Sequence, residues 1–212
     1  EDQMMVTHAM MISDAFQALN ILSTHPLIDP NKIAIAGWSL GGAVALYSAW
    51  LPIAEKLSPG GNRFAAHLPF YPAAHMRPEE MRWSKKPILI MHGEDDDYTP
   101  LLLVKGLEKE LENTDANLKL IVFPGAHHAF DSLEELTWLD KAIRLDYRTV
   151  EIDKEGFMSG EIEPGERIPL NEPEQRLVAF QRAQNIGAHA GGQPYARKKS
   201  HQESVEFFSR VL

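Results

Sequence analysis

One six-residue segment narrows the folds open to this chain more than any other. Gly37-Trp38-Ser39-Leu40-Gly41-Gly42 follows directly on the apolar run Ile33-Ala34-Ile35-Ala36 and leads directly into Ala43-Val44-Ala45-Leu46, which reads as a strand, a tight turn and a helix. A turn this sharp brings neighbouring backbones together, so side chains at Gly37 or Gly41 are expected to collide with the adjoining strand or helix. The turn points the Ser39 hydroxyl outward, as a candidate nucleophile. It also leaves the first N–H groups of the helix without intrahelical acceptors, so the Leu40 N–H can donate to an oxyanion as it forms. A plain glycine-rich turn is the bland reading of the same residues, and the flanking strand and helix favour the nucleophile.

The strand at 32–36 is apolar without alternation, as expected for a strand covered on both faces. Further strands are expected at Phe64–Phe70, Pro87–His92 and Leu118–Phe123, with helical patterns near Gly42–Leu51 and Leu101–Leu111 between them. A first amphipathic helix carries Met5, Ile12, Phe16 and Leu19 on one side and is closed by His25-Pro26. Strands alternating with helices predict an α/β fold built on a mostly parallel sheet. At 212 residues, 44% hydrophobic and 24% charged, one domain with one sizeable core is expected.

After Trp138 the pattern changes to charged and turn-forming residues, which predicts an insertion at about 139–195 before a closing helix. Within it, Val150-Glu151-Ile152 and Arg167-Ile168-Pro169-Leu170 read either as a small hairpin or as part of a mobile charged loop. A helix from about Glu174 to Asn185 and a glycine-rich loop at Gly187–Gly192 follow. The last helix is expected to dock Val205, Phe208, Val211 and Leu212 on the core.

Charge and composition exclude several classes of partner. A net charge of −9 argues against nucleic acid, which calls for a basic footprint. No apolar run approaches the roughly 20 residues of a membrane span. With no cysteine there is no thiolate metal site and no cysteine nucleophile.

A serine hydroxyl needs a base to take its proton and a third group to orient that base. Pro87-Ile88-Leu89-Ile90-Met91-His92-Gly93 runs into Glu94-Asp95-Asp96-Asp97-Tyr98-Thr99-Pro100, placing several carboxylates at a strand's carboxyl end, where open α/β sheets bind ligands. Taken singly, Glu94, Asp95 and Asp97 read as parts of a solvated turn. The glycine and terminal glutamate of an EF-hand are missing from their offsets, which argues against Ca²⁺. The next strand leads into Pro124-Gly125-Ala126-His127-His128-Ala129-Phe130-Asp131, with two histidines at the same edge, either of which can serve as base. Adjacent histidines point in different directions and nothing like H-E-x-x-H accompanies them, so no metal is expected. The histidines at 8, 25, 67, 75, 92, 189 and 201 are read as surface or packing residues, His92 lying nearest the site.

Serine, aspartate and histidine in that chain order, each after its own strand, is the order of α/β-hydrolases. Ile28-Asp29, Phe70-Tyr71-Pro72, the His92–Pro100 segment and Pro124-Gly125-Ala126-His127-His128-Ala129-Phe130-Asp131 together resemble the dienelactone hydrolase family, over Met4 to about Trp138 and more weakly over Ala196–Leu212. The resemblance selects Asp96 as the acid and His128, before the small residue and phenylalanine, as the base. It also implies four strands earlier than the one at 32–36, so that this chain resembles the carboxyl-terminal part of such a fold, its 32–36 strand having one unpaired, aggregation-prone edge and its isolated form poorly soluble and nearly inactive. The family's namesakes use a cysteine where Ser39 stands here, which points to a serine esterase rather than to cleavage of dienelactone itself.

The implied reaction is transfer of an acyl group from a small-molecule ester or lactone to water through an acyl-enzyme, with no metal or organic cofactor. Ser39 attacks, His128 takes its proton, Asp96 orients His128 and the Leu40 N–H supplies one oxyanion donor, while Trp38 and Tyr71 are expected to contact substrate. A peptidase resembling prolyl oligopeptidase is the nearest alternative, and a non-catalytic α/β-hydrolase domain used for binding is the alternative outside enzymes.

Overall fold

The computed structural model describes residues 6–183 and 185–212; Met5, assigned above to the first helix, lies outside them. Helix α1 (His8–Leu22) starts where the Thr7 side chain accepts the Met10 N–H at 3.2 Å, and it buries Ile12, Phe16 and Leu19 at helical spacing. It ends at Ser23, just ahead of His25-Pro26. A single 3₁₀ turn at Pro30–Lys32, capped by Asp29, hands the chain to β1 (Ile35–Trp38), which feeds α2 (Leu40–Tyr47). Then come α3 (Leu51–Leu57), β2 (His67–Phe70), β3 (Met76–Pro78), β4 (Ile88–Gly93), α4 (Leu101–Leu111) and β5 (Leu118–Phe123).

The main sheet has the order β1-β2-β4-β5, every pair parallel. β4 shows why its sequence is apolar throughout: Ile88 and Ile90 enter the core beneath α1, α2 and α4, and Leu89 and Met91 enter the core on the opposite face. Each fully buried aliphatic or aromatic side chain of this kind stabilises the fold by roughly 1.5–3 kcal/mol. β1 pairs with β2 on one side, and among the described residues no strand pairs with its other side.

The described residues of the 139–195 stretch are folded. β6 (Thr137–Arg144) and β10 (Asn185–Ala190) form an antiparallel ribbon. β7 (Val150–Ile152), β8 (Met158–Glu163) and β9 (Glu166–Pro169) form a meander, and β3 adds to it alongside β7 to make a second sheet, β3-β7-β8-β9. The two segments expected to pair as a hairpin therefore both become strands, but β8 lies between them and pairs with each. Helix α5 (Pro173–Ala183) follows. Where a glycine-rich loop was expected, β10 runs to Ala190, with Gly187 leaving room for the Trp138 ring, which an added Cβ would meet at 2.0 Å.

Helix α6 (Pro194–Val211) docks on the second core. Its inward residues are Ala196, Ser200 and Phe207, with Phe208 and Val211 partly buried, whereas Val205 is 53% exposed. Phe208 and Val211 thus face the core as expected, whereas Val205 and Leu212 do not, Phe207 filling the space against the sheet.

His67 on β2 is fully buried, its Nδ1 3.0 Å from both the Ser48 hydroxyl and the Ala45 carbonyl oxygen. Burial pulls its pKa down to about 4. In the unfolded chain the imidazole takes a proton near pH 6.5 and in the folded chain it resists until about 4. Its contribution is therefore complete above pH 6.5 and is lost as pH falls toward 4, by on the order of 3 kcal/mol. Urea unfolding at pH 7 and pH 4.5 should show a loss to which buried His75 also contributes, and His67→Gln should reduce it; equal acid sensitivity in parent and variant would contradict the assignment to His67.

Candidate active site

The turn between β1 and α2 places Ser39 at φ 54° and ψ −114°, a conformation that a residue with a side chain adopts only when its surroundings impose it. They do so here through close backbone packing. A Cβ on Gly37 would lie 2.0 Å from the Gly41 carbonyl oxygen, and one on Gly42 would lie 2.5 Å from the Phe70 carbonyl oxygen. A Cβ on Gly41 would meet nothing within 4 Å, so the expected collision at Gly41 is corrected: the crowded pair is Gly37 and Gly42. The Ser39 N–H donates to the Phe70 carbonyl at 3.0 Å, extending the β1–β2 pairing into the turn. Leu40 is the first residue of α2, and its N–H has no carbonyl one turn back within the helix to receive it.

β4 and β5 carry the other two groups. At Gly93 an added Cβ would stand 2.3 Å from the Ala126 carbonyl oxygen, and the Asp95 N–H donates to that same oxygen at 3.0 Å. The two loops are thereby locked together. Asp96 and His128 are each only 4% exposed. His128 Nε2 lies 2.8 Å from Ser39 Oγ, and His128 Nδ1 lies 2.8 Å from Asp96 Oδ2.

Asp96 is held in place by donors around it. Its Oδ1 accepts the Tyr98 N–H at 2.9 Å and the Thr99 N–H at 2.8 Å. With Oδ1 occupied by two backbone amides, Oδ2 is presented to His128 Nδ1, which fixes the proton on that nitrogen and leaves Nε2 as an acceptor toward Ser39. The rings of Tyr71 and Tyr98 pack at 4.5 and 4.7 Å from the imidazole. Glu94 and Asp95 are exposed, as read from sequence.

Trp38 and Tyr71 are joined by a residue that sequence reasoning gave no role. Asp131 accepts the Trp38 indole N–H at Oδ2 and the Tyr71 hydroxyl at Oδ1, both at 2.7 Å. It stands at the end of the Pro124–Asp131 segment, and the distance along the chain from Trp38 and Tyr71 hides the pairing. Tyr71 is 4% exposed, and burial, reinforced by hydrogen bonding to Asp131, pushes its phenol above the ordinary range. Trp38 stays 49% exposed beside Ser39, stacked on Phe70 at 5.2 Å. Of the two, Trp38 is the one with surface to offer a ligand.

His92, the histidine left open beside the site, is fully buried, and burial first of all lowers its pKa. His127 turns from Ser39 toward a separate group, its ring 5.2 Å from that of His189. Asp97, read as a solvated turn residue, accepts the His189 N–H at 2.8 Å and faces His189 Nδ1 at 2.9 Å.

A parallel sheet flanked by helices, with serine, aspartate and histidine presented in that chain order after β1, β4 and β5, defines an α/β-hydrolase fold. Residues 2–143 match the model of the dienelactone hydrolase family, and the chain belongs to that family. No curated protein matches it. Among solved structures it is similar to a dienelactone hydrolase-like promiscuous phosphotriesterase from metagenomic libraries, with 16% identity, a TM-score of 0.52 and coverage of 94% of this chain and 61% of that one. It is also similar to the propionate-bound esterase 2 of the planctomycete Thermogutta terrifontis, at 23% identity and a TM-score of 0.49, covering 59% of this chain and 58% of that one. An α/β hydrolase from a Medee basin deep-sea metagenome library matches at 26% identity and a TM-score of 0.43, over 56% of this chain and 50% of that one. The chain therefore spans less than two thirds of the length of each of these structures. Among the described residues no helix is long and apolar enough to cross a membrane.

Proposed function

We propose that this chain carries the nucleophile, base and acid of a serine hydrolase that cleaves a small carboxylic ester or lactone, within a catalytic domain that takes 139–195 as an insertion. The observation that carries the reading is the unbroken row from Ser39 Oγ to His128 Nε2 and from His128 Nδ1 to Asp96 Oδ2, 2.8 Å at each step, which falls within the reach proton transfer requires. The strained turn at Ser39 supports it.

In this mechanism Ser39 Oγ attacks the ester carbonyl carbon as its proton passes to His128 Nε2. The carbonyl oxygen takes the electron pair and is met by the Leu40 N–H. Asp96 stabilises the imidazolium without taking its proton. Collapse of the tetrahedral intermediate expels the alcohol, which leaves with the proton from His128. A water molecule, deprotonated by the same imidazole, then releases the acid and restores Ser39. In a lactone the alcohol remains tethered to the acyl group, and both leave together as a hydroxy acid. Trp38 forms one wall of the approach to Ser39.

A fluorophosphonate probe should label the full-length protein at Ser39 alone and should fail on Ser39→Ala. Labelling elsewhere, or none in a folded protein, would refute the nucleophile. Hydrolysis of peptides with no ester turnover would select the peptidase reading instead.

A further inference from the structure

We propose that Asp97, His127 and His189 form a binding site for a divalent transition-metal ion of the Zn²⁺ class, which clamps strand β10 to the loop that carries His128. One ligand atom from each residue lies within 4.8 Å of the other two. Two imidazole nitrogens and one carboxylate oxygen suit Zn²⁺ and its neighbours rather than Ca²⁺ or Mg²⁺, which prefer all-oxygen shells. Metal–ligand bonds of about 2.0–2.2 Å put tetrahedral donors roughly 3.3 Å apart, so closure takes donor movements of about 1 Å.

A second observation separates this group from a simple ion pair. His127 Nδ1 is buried and has no hydrogen-bond partner. A buried nitrogen of that kind goes uncompensated unless something binds it. Asp97 and His189 already hold each other at 2.8 and 2.9 Å, and their side chains are 34% and 40% exposed, so an ion can enter from solvent. Trp138 packs edge-on to the His189 ring at 4.8 Å and limits its rotation. Sequence analysis weighed the adjacent pair His127-His128 and the acidic 94–97 loop separately as ligands, and did not join them to His189. His189 lies 62 positions along the chain from His127 and 92 from Asp97, and pairing of β10 with β6 brings it back.

The test is Zn²⁺ binding by the chelator-stripped full-length protein, followed by competition with a chromophoric chelator, by thermal unfolding and by the visible spectrum of the Co²⁺ form. About one equivalent should bind at micromolar affinity or tighter and raise Tm. His127→Gln should weaken Zn²⁺ binding at least about 100-fold, alter the Co²⁺ bands and abolish the rise in Tm on adding Zn²⁺, each protein being compared with its own metal-free form. His189→Gln should weaken binding similarly. No uptake at millimolar Zn²⁺ would overturn the proposal, as would undiminished binding in His127→Gln or binding lost only in His128→Gln. None of these readouts depends on ester hydrolysis.

Discussion

Replacing Ser39 with alanine in the full-length protein is expected to lower kcat for an activated short-chain ester by about ten-thousand-fold to a million-fold while leaving the fold intact. The hydroxyl is the only covalent nucleophile in the proposed reaction, and its removal leaves the surroundings of Asp96 and His128 undisturbed. Asp96→Asn should cost about ten-thousand-fold, because an amide in place of Oδ2 favours the tautomer that carries its proton toward Ser39. Asp95→Asn, on the exposed part of the same loop, should leave turnover close to that of the parent. Steady-state kinetics on the four proteins would decide the matter: near-parental turnover in Ser39→Ala would sink the hydrolase reading, and equal loss in the two aspartate variants would sink the assignment of Asp96.

The second large effect concerns stability and comes from contrasting glycines four and five residues apart. Gly37→Ala places a methyl group 2.0 Å from the Gly41 carbonyl oxygen, and Gly42→Ala places one 2.5 Å from that of Phe70. Both obstacles are backbone, which cannot swing away as a side chain does. Each variant should lose more than about 3 kcal/mol, a large share of the 5–15 kcal/mol that holds a typical domain together. Gly41→Ala meets nothing within 4 Å and should stay within about 1 kcal/mol of the parent, since alanine is the better helix former. Urea midpoints for the three variants give the comparison. Similar losses at Gly37 and Gly41 would show that the turn is packed differently from the description above.

The parts of the fold legible from sequence are those whose burial leaves a pattern. β1, β4 and β5 are apolar runs, α1 shows its stripe at Ile12, Phe16 and Leu19, and the glycines announce the turn at Ser39. β6 was not legible, because residues 137–144 are exposed along most of both faces and their order rests on pairing with β10 rather than on burial. β10, with Gly187 and two alanines, has the composition of a loop and becomes a strand through a partner some 45 residues earlier. The residues of the candidate site were legible where they follow strands. Asp131 and His189 were not, since each acts on residues about 60 to 93 positions away through contacts that no local spacing encodes.

The chain that returns from β10 also bears on how firmly His128 is placed. The chain leaves the base loop after Phe130 and returns to it: Gly191 N–H donates to the His128 carbonyl at 2.9 Å, Gln193 N–H to that of Phe130 at 2.9 Å, and Gly192 N–H to that of Glu134 at 2.7 Å. With both ends of the 139–195 segment stitched to it, the His128 loop is held by backbone hydrogen bonds from the returning chain as well as by its own strand. The seam therefore ties the two ends of the segment to the backbone of the His128 loop, while the pairing of β7 with β3 and the packing of Leu145, Val150 and Ile152 tie its middle to the main core.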